Sequence, residues 1–172
     1  PQERRVLSAC AAAGVYPREA FTAAGGFDED FFAYMEDVDL DFRLQLLGYP
    51  CWYLPQAVVR HAGSGSTSPR SDLVIFYGHR NLVWTFVKDM PGWLFWTMLL
   101  PHLLVNLIYV LAALFFPFRG AMARAKWVAF KGLPTAWKKR RAVQRQRKVS
   151  VRTIAGLLEW NPFAPLIKLT YR

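Results

Sequence analysis

At 172 residues, with a net charge of +10 and 53% hydrophobic residues, the chain is long enough for one ordinary domain, and a large two-domain enzyme is excluded unless this is a piece of one. Cys10 and Cys51 are too few for a disulfide framework and sit in no zinc-binding spacing, so both are expected to be reduced, small core residues. Charge is divided along the chain: Asp28 to Asp41 is strongly acidic, whereas Arg119 to Arg152 carries twelve Lys or Arg and no acid, which implies two halves with different partners.

Pro1 to Arg5 shows neither a basic-then-apolar succession nor a small-residue cleavage site, and reads as the middle of a gene product, not as a signal peptide. Ser8 to Val15 is a small, apolar run expected as a buried strand. Pro17 offers a first helical position for a helix over Arg18 to Ala24, which Gly25-Gly26 end. Phe27 to Tyr34 mixes aromatics with Asp28, Glu29 and Asp30 and suits a loop folded against a core. From Glu36 to Leu47, the spacing of Leu40, Leu44 and Leu47 predicts a helix with one apolar stripe, stopped by Gly48 and Pro50. Trp52 to Leu54 and Ala57 to Arg60 read as short strands divided by Pro55, delivering His61 to a flexible loop at Gly63 to Ser66. Ile75 to Lys88 reads as an amphipathic helix carrying His79, Arg80 and Asn81.

The start of the Glu36 helix concentrates chemistry. Acids are favoured at a helix N-terminus by the backbone dipole, which explains Glu36, and Asp39 can pair with Arg43 one turn on. Asp37 and Asp41 are harder to explain, because as like charges at i, i+4 they repel mildly. A ligand or catalytic role would require them, and the helix N-terminus favours the ionised carboxylate that a general base needs at Asp37. An EF-hand reading fails, since Phe42 stands where that loop needs glycine.

The succession Ser8-Ala9-Cys10, Arg18-Glu19-Ala20-Phe21, Gly25-Gly26-Phe27-Asp28-Glu29, Phe32 to Leu40, Arg43-Leu44, Gly48-Tyr49, Pro55 and Val59-Arg60-His61 resembles the second half of a family 2 glycosyltransferase of GT-A fold, most nearly the bacterial rhamnosyltransferase-like branch. The resemblance covers about Ser8 to Ser66 and continues more weakly through Tyr77 and His79-Arg80-Asn81. It implies an α/β, Rossmann-like catalytic domain whose acceptor-side half occupies residues 1–72. It also implies that Asp37 is the base for an inverting transfer and that Glu36 positions it. Gly25, Gly26, Phe27 and Asp28, with Arg43, would bind substrate at the acceptor edge, and His61 would be a ligand of a divalent metal (Mg or Mn) bridging the donor diphosphate. The family's Asp-x-Asp metal motif and nucleotide-binding strands lie N-terminal to this half and are not found before Ser8, so the isolated chain is expected to be inactive.

After a connecting helix at 73–89, residues 90–118 hold no charge, and Gly92 to Phe116 alone would make a helix of roughly 37 Å, enough to cross a bilayer core. Pro101 is expected to divide this run, and a single crossing would put the basic tail of residues 119–172 outside, against the positive-inside tendency. A re-entrant segment or helix hairpin with both flanks cytosolic is therefore expected, at the cytoplasmic face of the cell membrane. The tail, with Lys138-Lys139-Arg140-Arg141, is expected to hold anionic lipid headgroups or the pyrophosphate of a lipid-linked acceptor. The expected partners are thus a nucleoside diphosphate sugar, a polyprenyl-diphosphate-linked glycan and anionic lipids. A non-catalytic membrane adaptor using the tail is the rival reading; nucleic acid fits the charge alone, with no recognised nucleic-acid fold beside it.

Overall fold

The computed structural model describes residues 2–60 and 71–160. Its elements are β1 (Arg4–Val6), α1 (Arg18–Ala23), α2 (Glu36–Leu47), β2 (Cys51–Tyr53), α3 (Asp72–Asp89), α4 (Gly92–Ala113), α5 (Arg119–Lys131), α6 (Leu133–Arg145) and α7 (Val151–Ala155). β1 and β2 pair antiparallel, with Val6 opposite Cys51 and Arg4 opposite Tyr53. Helix dominates the described residues, and the α/β character expected from the sequence is confined there to this one ribbon.

Two expected strands do not form. Ser8 to Val15 contains a 3-10 turn over Ala11–Ala13, because its backbone N–H groups turn towards the carboxylates of α2 instead of a neighbouring strand. Ala57 to Arg60 is irregular and exposed, with Ala57 and Val58 closing local turns onto Leu54 and Gln56. His61 and the Gly63 to Ser66 loop lie outside the described residues. The cysteines are both free, but neither is a core residue: Cys10 is exposed and Cys51 half-buried.

α2 matches its predicted bounds, yet it is buried on all sides from Asp39 to Leu46, not along one stripe. Leu40 and Leu44 pack with Ala20 of α1. Phe42 and Leu46, on the opposite side, pack with Leu94 of α4 and Ile154 of α7. A further core joins Phe86 and Val87 of α3, Phe95 of α4 and Ala136 of α6. α3 starts at Ser71, whose hydroxyl accepts from Val74 N, and it is the common support for α2, α5 and α6. The α3–α5 seam is tight at Gly132, where any Cβ would run into the Trp84 indole; that indole donates to Ala129 O at 3.0 Å.

Pro101 does not divide the apolar run. α4 continues through it from Gly92 to Ala113, held on both sides of the missing N–H by one partner ring, since Phe95 and His102 both stack on Phe86. His79 meets Tyr109 and Phe86 meets His102, so α4 runs antiparallel beside α3 over at least two turns. Trp96, Leu100, Leu103, Leu107, Ile108 and Leu111, at helical spacing, are each half or more exposed.

Candidate active site

The chain reaches α2 through an unusual backbone. Phe32, Tyr34 and Met35 all have positive φ, between 62° and 70°, a region costly for residues with a Cβ. Two side chains of α3 hold this segment in place. Asn81, fully buried, donates through Nδ2 to Phe31 O, Ala33 O and Tyr34 O at 2.9, 2.9 and 2.7 Å. Arg80 donates to Asp30 O and Phe31 O at 2.6 and 3.0 Å, its guanidinium 4.3 Å from the centre of the Trp84 ring. Strain of this kind persists only where its surroundings over-determine it, and it stands directly before Glu36-Asp37.

The acids of α2 divide between two faces, as residues two apart on a helix must. Asp37 and Asp41 face the Ser8–Ala13 segment. Asp37 Oδ2 accepts from Ala11 N at 3.1 Å and Oδ1 from Val38 N at 2.8 Å, which leaves lone pairs free on a carboxylate able to accept about four hydrogen bonds. Asp41 Oδ2 accepts from Ala9 N at 2.7 Å and Ser8 Oγ at 2.8 Å. Burial nevertheless pushes the Asp41 carboxyl up, with the Asp37 charge adding to it. Burial and then Asp41 also push the Tyr16 phenol above its usual range. Glu36 is raised as well, chiefly by burial, and its Oε2 is buried without a hydrogen-bond partner.

Asp39 and Arg43 occupy the other face. Arg43 grips Asp39 through Nε and Nη2 at 2.9 and 2.6 Å, and it also donates to Gly26 O at 2.8 Å and to Ala24 O. The guanidinium thereby fixes the turn in which Gly25 and Gly26 take φ of 82° and 68°, values that suit glycine. Lys88 of α3 ion-pairs with Asp39 and, at 2.6 Å, with Asp28. Lys139 of α6 pairs with Asp28 at 2.5 Å and Asp30 at 2.6 Å. Burial alone would raise Asp28, but the hydrogen bonds and charges of these two lysines outweigh it and hold the carboxyl at about 2. Behind them, burial and the Asp39 charge push the buried Asp89 carboxyl well above the usual range.

Gly25, Gly26, Phe27, Asp28 and Arg43 are thus brought together, lining a cavity of about 510 Å³ with Lys88 and Lys139. Glu36 and Asp37 are not among its walls; Asp37 looks to the far side of α2. His61 lies outside the described residues, and among those described no cluster of His, Cys, Asp or Glu is arranged to hold a metal. The sequence reading missed the roles of Lys88, Lys139 and Asn81. Lys88 and Asp89 carried a signal as two adjacent charges closing a helix, but the partner of Lys88, Asp28, lies 60 residues away.

Two curated proteins of Mycobacterium tuberculosis, from strains CDC 1551/Oshkosh and ATCC 25618/H37Rv, are similar to this chain. Each is named N-acetylglucosaminyl-diphospho-decaprenol L-rhamnosyltransferase and is 38% identical over 118 aligned residues, which cover 62% of this chain. The chain spans 38% of the length of those relatives. No family model and no solved structure matches it. The ordered motifs around the strained approach to Asp37 and this likeness agree, and the chain is a relative of the family 2 glycosyltransferases.

Proposed function

We infer that this chain carries the acceptor side of an inverting glycosyltransferase of GT-A type, which moves a sugar from a nucleoside diphosphate to a glycan on a polyprenyl diphosphate. Asp37 removes the proton from the acceptor hydroxyl as its oxygen attacks the anomeric carbon. The nucleoside diphosphate leaves from the opposite face with the bonding electron pair, and the configuration inverts. The observation that carries this reading is the strained 32–35 segment, clamped by Arg80 and Asn81, which fixes where Asp37 enters the first turn of α2. Glu36, beside it, keeps an unpartnered carboxylate oxygen for the acceptor or for Asp37. The donor nucleotide is held by elements other than those described. A divalent cation at its diphosphate would take His61 as one ligand, and EDTA inactivation reversed by Mg²⁺ or Mn²⁺ tests that step.

The same reading attaches the protein to the cytoplasmic face of the membrane. α4 is long and apolar enough to cross a bilayer, and only 11% of its most apolar 18-residue stretch is buried, which supports a face turned to lipid. It nevertheless runs beside α3 and packs on α5, which carry Arg80, Lys88, Arg124 and Lys126. A perpendicular crossing would drag those charges into hydrocarbon. In-plane insertion of its exposed face satisfies both facts.

The test is Asp37→Asn in the full-length protein, with nucleoside diphosphate L-rhamnose as donor and a polyprenyl-diphosphate-linked N-acetylglucosamine as acceptor. Loss of a general base costs about 10²–10⁴-fold in kcat, and that drop is expected with unchanged circular dichroism. Turnover at the parent rate would remove Asp37 from the mechanism.

A further inference from the structure

A second cavity has no part in the chemistry above. It holds about 710 Å³ and opens among α3, α4, α5 and α6. Its floor is apolar: Phe86, Phe95, Leu99, Leu103, Ala129 and Trp137. Its charged lining residues are Lys126, Lys138 and Arg141, with no acid among them. Lys138 and Arg141 are exposed, whereas Lys126 is half-buried, donating to His79 O at 3.3 Å and to Asn106. Leu103 belongs both to the cavity and to the exposed apolar face of α4, so the cavity is continuous with the surface that meets the bilayer. α6 is the dividing wall: Lys139 reaches Asp28 and Asp30 on the side of the Gly25–Asp28 cavity, while its neighbour Lys138 lies on this one.

We propose that this groove binds the first isoprene units and the diphosphate of the polyprenyl diphosphate carrier, with the chain on the apolar floor and Lys126, Lys138 and Arg141 around the phosphates. Charge complementarity selects this occupant. An uncharged polyprenol leaves three cations unmatched, a cationic or zwitterionic lipid gains little from them, and an anionic phosphodiester headgroup brings a single negative charge, whereas a diphosphate offers several acceptor oxygens and more than one negative charge. Uptake from the bilayer side explains why the groove abuts α4 and not the soluble end of the protein. This assignment rests on the glycosyltransferase reading, which supplies polyprenyl diphosphate as the carrier; the groove, its apolar floor and its three cations stand without it.

The experiment uses full-length protein in nanodiscs and displacement of a fluorescent polyprenyl diphosphate by unlabelled competitors. Polyprenyl diphosphate is expected to compete at least tenfold better than polyprenol of the same length or phosphatidylglycerol. Lys138→Gln with Arg141→Gln, both exposed positions, should weaken its binding about tenfold. Leu103→Trp, which fills the groove from the exposed side, should weaken it similarly while leaving attachment to anionic vesicles intact. Equal displacement by phosphatidylglycerol would make the groove an ordinary lipid seat and overturn the proposal, as would unchanged binding in both variants. Turnover on a short, water-soluble N-acetylglucosaminyl acceptor separates the two readings. If the groove assignment alone is wrong, the variants lose neither acceptor; if the glycosyltransferase reading is wrong, neither acceptor turns over although the lipid still binds.

Discussion

Lys88→Met tests most directly the buried charges that join α2, α3 and the Gly25–Asp28 turn. Methionine keeps most of the length of the side chain and removes the ammonium, together with that ammonium's cation–π contact 4.9 Å from the centre of the Phe31 ring. The lysine side chain is 3% exposed, and its partners Asp39 and Asp28 are 0% and 11% exposed. Breaking a buried ion pair from one side costs about 3–5 kcal/mol, because the abandoned charge stays buried. Asp39 keeps Arg43 and Asp28 keeps Lys139, which places the expected loss at the lower end, about 3 kcal/mol. Urea unfolding of the detergent-solubilised full-length protein, followed by tryptophan emission, measures it at pH 7. Adding Asp39→Asn should recover part of the loss by removing the unmatched charge. Acid provides an independent reading. Asp28 sits at about 2 in the fold against an ordinary 3.8, so its contribution is whole above the ordinary value and disappears as pH falls towards 2. Without Lys88 the folded value rises, and acid unfolding should begin at higher pH than in the parent. A loss under about 1 kcal/mol, or no recovery with Asp39→Asn, would refute the account of these charges as a mutually dependent buried network.

Asn81→Ala should free the 32–35 backbone and leave buried carbonyls unsatisfied, at about 1–3 kcal/mol. Its distinguishing signature is a kcat loss greater than the change in KM, with the pH–rate profile unmoved, because Asn81 positions Asp37 without touching substrate. Gly132→Ala drives a methyl into the Trp84 indole and should cost about 1–3 kcal/mol by overpacking. Unfolding midpoints report it, and a cost under 0.5 kcal/mol would mean that the α3–α5 seam relaxes freely.

Helices were more legible in this sequence than strands. α2 carried acids at its start, periodic leucines and a glycine-proline stop, and the core of α3 carried an amphipathic run, all of them local. Ser8 to Val15 misled because small apolar residues suit a strand equally well when nothing says where the backbone donors go; here they go to carboxylates roughly 30 positions downstream. Pro101 misled for a related reason. Proline predicts the loss of one hydrogen bond, but whether a helix breaks there depends on what packs on either side, and Phe86 lies far from it in sequence. For the site, spacing drew attention to Asp37 and Asp41 and foresaw the Asp39–Arg43 pair. It could not reveal that Asp37 and the Gly25–Asp28 turn occupy different sides of α2, because that depends on the lysines of α3 and α6.

α3 is 18 residues long, a rod of about 27 Å. Near its middle it is stitched to the segment before Asp37, and at its far end to Asp28, while α4 lies along its flank. Such a rod behaves as a strut: under the proposed function, the height at which the protein rides on the membrane and the height at which the turn before Asp37 is presented become a single variable. Substitutions along this strut that touch neither sugar nor lipid should therefore read out as errors of reach, falling hardest on the acceptors with the shortest glycans.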